Sequence, residues 1–152
     1  MQVMSDATRA RGDDEDGRLM TRWQRAVIAL FREGDAALPE ILAVYDERAR
    51  LRDPLRTVLG RDALVAYNRR FLRKVRRVEV AFGDALEGEG LAFATWTMRV
   101  TPRLGPEVRV EGVTRLVIEA GKIVAQEDSF DVTRGLPWIG AALRALVRLA
   151  GA

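Results

Sequence analysis

The chain has 152 residues, 48% hydrophobic and 31% charged, a composition that suits one globular domain with one core. It holds no cysteine and no histidine, so disulfides, thiolate nucleophiles, serine–histidine triads and histidine-held metals are excluded. Against 22 acidic residues stand 25 basic ones, nearly all arginine, and the net charge of +3 lacks the clustered stripe of a nucleic-acid binder.

Residues 1–17 are polar, with Asp13-Asp14-Glu15-Asp16 ahead of Gly17, and read as a disordered tail with nothing apolar to bury. They carry no apolar signal region, and no later run reaches the roughly 18 residues of a membrane span. The expected location is therefore the cytoplasm, with the folded domain over 18–152.

From Arg18 the apolar period is helical: Met20, Trp23, Val27, Leu30 and Phe31 share one stripe. Gly34 ends that helix and Asp35 is placed to cap the next, which carries Leu38, Ile41, Leu42 and Tyr45, with Pro39 in its first turn. A short strand is expected over Ala49–Pro54, with Leu51 and Asp53 on one face. A third helix follows over about 62–75, turning Leu64, Phe71, Leu72 and Val75 inward. Its basic face (Arg69, Arg70, Arg73, Lys74, Arg77) has no interleaved aromatics and reads as solvated.

Turn signals at Gly88-Glu89-Gly90, Gly105-Pro106 and Ala120-Gly121 then separate four strands, at about 77–86, 91–102, 107–119 and 122–132. Strands of that length bend, so the sheet should wrap around a hollow. In the second of them Ala92, Ala94, Trp96, Met98 and Val100 form the apolar face. Pro137 opens a C-terminal amphipathic helix too short to span a membrane.

This order of elements, with LAVYDERARLRDP at Leu42–Pro54, GRDAL at Gly60–Leu64 and GKIVAQEDSFD at Gly121–Asp131, resembles the SnoaL-like and nuclear transport factor two-like families. The resemblance implies an α+β cone. N-terminal helices pack on a strongly curved mixed or antiparallel sheet that encloses a pocket, a short C-terminal helix follows, and dimers are usual. It also implies chemistry without metal or organic cofactor, on a small apolar molecule.

Compared residue by residue with steroid delta-isomerases, Asp53-Pro54 matches the general-base position, while Val27 and approximately Val113 stand where two oxyanion donors are expected. Against limonene-type epoxide hydrolases, Asp128 falls on the water-activating carboxylate. Asp53 and Leu51 replace an Asn and a Tyr there, and Trp96 and Met98 replace an Arg–Asp pair. SnoaL-type cyclases also rely on a carboxylate near the end of the last long strand, a role open to Asp128 or Asp131.

Asp53 and Asp128 are thus the candidate catalytic carboxylates. Trp23, Tyr45, Leu51, Trp96, Met98, Gln126 and Phe130 are the candidate pocket residues. A carboxylate among such groups is desolvated, and two sharing a cavity divide into acid and base. The expected function is acid–base chemistry of isomerase, cyclase or hydrolase type on an apolar oxygenated substrate, with Asp53 as base and Asp128 as acid or partner. The alternative is a non-catalytic domain that binds an apolar ligand or mediates homodimerisation. In that case Asp53 would fix the turn at Pro54, Asp128 would pair with Arg99 or Arg115, and Trp23, Tyr45 and Trp96 would be core packing.

Overall fold

A computed structural model describes residues 18–131; the expected N-terminal tail (1–17) and the helix expected from Pro137 lie outside them. The elements run α1 (Leu19–Glu33), a 3-10 turn (Gly34–Ala37), α2 (Leu38–Val44), β1 (Tyr45–Arg52), β2 (Thr57–Leu59) and α3 (Arg61–Lys74). Four long strands follow: β3 (Val75–Glu87), β4 (Leu91–Pro102), β5 (Val108–Glu119) and β6 (Lys122–Phe130). They form one mixed sheet of order β2-β1-β6-β5-β4-β3. Only β1 and β6 run parallel. The architecture is an α+β cone with a curved sheet that is not closed.

Helix α1 buries Met20, Trp23, Ala26 and Leu30, the expected stripe shifted slightly toward Ala26, with Val27 and Phe31 packed at its margin. Gly34 ends the helix with φ +62°, a conformation that costs glycine little, and its N–H bonds the Leu30 carbonyl. Asp35 does not cap α2; its carboxylate instead takes the Arg69 guanidinium of α3 at 2.8 Å.

Two boundaries differ from expectation. Tyr45 opens β1 rather than closing the helix before it, because its backbone already pairs with Ile123 of β6. β1 then ends at Arg52, since Pro54 has no N–H to continue the ladder. The third helix is found one residue earlier than expected and the long strands within about two residues of theirs.

One face of the sheet packs on the helices. Ala92, Ala94, Leu116, Ile123, Ala49 and Leu51 join the residues of α1, α2 and α3 in a single core. Strand β3 is bulged between Phe82 and Ala85, which sharpens the bend of the sheet. Gly83 sits in that bulge, where a Cβ would come within 2.6 Å of the Thr95 hydroxyl. The opposite face leaves Leu91, Phe93 and Val113 exposed.

Candidate active site

Strand register sets three rows of side chains across the concave face. Ala92, Leu116, Gln126 and Leu51 form the deepest row, all buried. Ala94, Thr114 and Asp128 form the next. Phe82, Trp96, Gly112 and Phe130 form the third. A hollow of about 810 Å³ open to the outside touches this row but is lined mostly by its neighbours on the outer face, Thr95, Thr97, Glu111, Val113 and Ser129, and does not include Asp128. The face thus passes from dry core, through a polar row, to an aromatic row in which Trp96 is buried and Phe82 and Phe130 are half-buried.

Two hydrogen-bond chains converge on Asp128 in the middle row. In the first, the Trp23 indole N–H donates to the Tyr45 hydroxyl at 2.7 Å, and that hydroxyl donates to Oε1 of Gln126. The Gln126 amide then donates to both carboxylate oxygens of Asp128, at 3.0 and 2.9 Å. In the second, the Trp96 indole N–H donates to Thr114 at 2.9 Å, and the Thr114 hydroxyl donates to Oδ1 of Asp128 at 2.5 Å.

An indole nitrogen can only donate, so each tryptophan fixes the direction of its chain. Tyr45 and Thr114 each donate onward to an acceptor oxygen, and the ionised Asp128 receives donors from both sides. Burial raises the Asp128 carboxyl to about 6; bonds from Thr114 and Gln126 hold it back, and the nearby Asp53 charge pushes it further up. Burial likewise raises the Tyr45 phenol, so that it stays a neutral relay.

Asp53 follows Arg52, which pairs with Glu127 in the parallel β1–β6 register, so the chain carries Asp53 to the height of Asp128. Its Oδ1 accepts the backbone N–H groups of Leu55 (2.7 Å) and Arg56 (2.9 Å), and its Oδ2 accepts the Tyr67 hydroxyl of α3 at 2.8 Å. Asp53 therefore does fix the turn around Pro54. It also ties that turn to α3. The Arg56 guanidinium lies over the Tyr67 ring at 5.0 Å.

The two expected carboxylates therefore come together, whereas the expected pocket residues divide. Trp96 and Phe130 line the hollow, their ring centroids 6.0 Å apart, and Met98 lies half-buried two residues further along β4. Trp23, Tyr45, Leu51 and Gln126 lie behind them in the packed interior. Asp128 has none of the arginine partners considered for it: Arg99 pairs with Glu107 (2.9 Å) and Glu79 (3.8 Å), and Arg115 with Glu127 (3.9 Å). Asp131 lies beyond β6 and is exposed.

Thr114, Tyr67 and Arg56 were not anticipated. Thr114 adjoins Val113, the residue aligned with an oxyanion donor, but Val113 is exposed on the outer face and Thr114 is the inward neighbour. The alternation of β5 carried that signal one position away. Tyr67 and Arg56 gave none, since their meeting with Asp53 depends on how α3 packs beside β1. Among the described residues no cluster of acidic side chains could hold a metal ion, and no helix is long and apolar enough to cross a membrane.

The sequence profile of the SnoaL-like domain matches residues 24–126. No curated protein sequence matches significantly. Among solved structures, the chain is similar to an NTF2-like protein of unknown function from Burkholderia pseudomallei, at 23% identity and a TM-score of 0.67, over 83% of this chain and 95% of that one. It is similar to a protein with a ketosteroid isomerase-like fold from Catenulispora acidiphila solved with trimethylamine, at 16% identity and a TM-score of 0.67, over 82% and 93%. A third likeness, to a candidate SnoaL-like polyketide cyclase from Jannaschia sp. CCS1, has 18% identity and a TM-score of 0.60 over 73% and 86%. Such identities speak for the fold alone. With the profile spanning most of the described residues, the chain belongs to the SnoaL-like domain family.

Proposed function

We propose that this domain is a cofactor-independent enzyme of isomerase or cyclase type, moving a proton at carbon in an apolar, oxygenated small molecule, with Asp128 as general base. The observation that carries this reading is the convergence of two tryptophan-anchored donor chains on one desolvated carboxylate, next to the inward aromatic row of Phe82, Trp96 and Phe130. One solved neighbour is described as a SnoaL-like polyketide cyclase and another as having a ketosteroid isomerase-like fold, and the reading is compatible with that shared fold.

The roles differ from those expected for the two carboxylates. Asp53 already accepts three donors, and its part is to position Tyr67 and the 53–56 turn. On Asp128, Oδ2 accepts, among the described residues, the Gln126 amide alone, and a further lone pair is proposed to serve the substrate. A carboxyl near 6 is mostly ionised at neutral pH, yet its conjugate acid can return the proton. In the step proposed, Oδ2 takes a proton from the carbon next to a carbonyl, and the C–H electron pair becomes the C=C bond of an enolate. The enolate carbon then either takes the proton back at another position or attacks a second carbonyl to close a ring.

The test is deuterium uptake at carbon, followed by NMR in D2O over a panel of cyclic enones and β-diketones. Wild type should catalyse exchange in at least one member, and Asp128→Asn should slow it by about 10²-fold or more. Equal rates in the two proteins sink the proposal.

Binding without turnover is the second reading, favoured by the open hollow bordered by Thr95, Thr97, Val113 and Ser129, which can take a ligand without Asp128. It predicts thermal stabilisation by such ligands that Asp128→Asn leaves unchanged. A homodimer through the outer sheet face at Leu91, Phe93 and Val113 belongs to the proposal too. Sedimentation should give twice the chain mass, and Phe93→Glu should halve it.

A further inference from the structure

We infer that the basic end of α3, together with the β4–β5 turn, is a docking surface for an anionic membrane, with Leu104 as its apolar tip. The inference is independent of the reading of Asp128 as a base.

The last turns of α3 carry Arg70, Arg73 and Lys74, spaced three and four apart so that they share one helix face, and Arg76 follows at the start of β3. Arg70, Arg73 and Arg76 are exposed and Lys74 is half-buried. Among the described residues, none of the four side chains pairs with a carboxylate. Neighbouring cations do have such partners: Arg69 pairs with Asp35 at 2.8 Å, Arg77 with Glu79, and Arg99 with Glu107 at 2.9 Å. Uncompensated positive charge is thus concentrated at this end of α3, on a chain whose net charge is only +3.

Arg103 joins the β4–β5 turn to the same helix end. Its backbone N–H donates to the Lys74 carbonyl at 3.2 Å, and its Nε–H donates to the Arg73 carbonyl at 2.6 Å. Both carbonyls belong to the last turn of α3, which has no intrahelical donors left for them. Leu104 is the next residue, so the basic cluster lies beside it. Gly105, with φ +111°, and Pro106 turn the chain back toward β5 and leave Leu104 at the tip. Leu104 is 92% exposed, more than any other large apolar side chain among the described residues. The helix dipole favours cations such as Arg73 and Lys74 in the last turn. It gives no reason for a leucine held in water beside them.

The two features together suit an anionic bilayer. Attraction between basic side chains and acidic headgroups adds up over several residues and acts within a Debye length, roughly 8–10 Å. An apolar group alone gives only marginal binding, and joining it to a basic patch is what makes a peripheral contact hold. A lone leucine on a turn tip enters a deformable headgroup layer without needing a preformed pocket. Nucleic acid has no such use for it, and Phe71, the aromatic residue within this stretch of α3, is turned onto Phe31 with ring centroids 6.2 Å apart.

The experiment is cosedimentation of the full chain with vesicles of phosphatidylcholine alone and of phosphatidylcholine with about one third phosphatidylglycerol. Wild type should bind the anionic vesicles about tenfold more tightly or better, and raising salt from about 0.1 M to about 0.5 M should remove the difference. Arg70→Gln with Arg73→Gln should weaken binding to the anionic vesicles by about tenfold. Leu104→Ser should weaken it by about threefold or more. All three positions are exposed, and circular dichroism checks that each variant keeps its fold. Equal binding of wild type to the two kinds of vesicle overturns the inference. So does an unchanged affinity in Leu104→Ser, or wild-type binding to polyglutamate or single-stranded RNA that exceeds binding to the anionic vesicles, since either result assigns the patch to a soluble polyanion.

Discussion

The Thr114 hydroxyl donates to Oδ1 of Asp128 at 2.5 Å while its oxygen accepts the Trp96 indole N–H at 2.9 Å. Replacing Thr114 with valine keeps the shape and removes both bonds. Since that hydrogen bond lowers the Asp128 carboxyl, its loss should move the titration midpoint upward from about 6. The Trp96 N–H is left without its partner, so stability should also drop by about 1–3 kcal/mol in urea unfolding.

Gly112 makes this geometry possible in another way. A Cβ there would stand 2.4 and 2.6 Å from two carbons of the Trp96 ring and 2.8 Å from the Ser129 carbonyl. Gly112→Ala should therefore push the indole aside and cost about 1–3 kcal/mol in stability, as overpacking does. A shift in tryptophan fluorescence, read against urea unfolding, checks both effects.

The other chain is tested at Tyr45. Tyr45→Phe keeps the ring but leaves the Trp23 N–H and the Gln126 carbonyl unpaired in the interior. The expected cost is about 1–3 kcal/mol, measured by denaturant unfolding. The Gln126 amide also loses the bond that fixed its orientation toward Asp128.

Stability should depend on pH through Asp128. Its folded carboxyl, near 6, lies above the ordinary 3.8, so the folded state binds the proton more tightly. The associated stability is fully present below about 3.8 and is lost as pH rises through about 6, a swing of up to about 3 kcal/mol. Asp128→Asn should remove that falling limb and be the more stable protein at pH 8. Parallel pH–stability curves for the two proteins would contradict this.

The fold was legible because turn residues and strand lengths are local signals. Glycine-bearing turns bounded the long strands, and alternation in β4 gave the buried faces of Ala92, Ala94 and Trp96. What alternation cannot show is a bulge. In β6 the pairing shifts between Ile123 and Ala125, leaving Val124 without a partner, so Ile123 is buried together with Gln126 although strict alternation puts them on opposite faces.

The site was legible where chain order carried it. Asp53 and Asp128 lie in segments that pair directly, β1 with β6, and a resemblance in element order is enough to bring them together. Roles were harder to read. The three donors that occupy Asp53 come from its own turn and from α3, and the two chains that serve Asp128 begin at tryptophans 105 and 32 residues away in sequence. Such long-range polar contacts follow from packing and leave no periodic trace.

Everything proposed for catalysis needs one desolvated carboxylate, kept largely ionised at neutral pH by donors that cannot turn away. Carbon-13 NMR titration of side-chain carboxyls, with Asp128 assigned by its disappearance in Asp128→Asn, measures this directly. The account predicts a midpoint near 6 that rises in Thr114→Val. A midpoint near 3.8, or no response to that substitution, would contradict it.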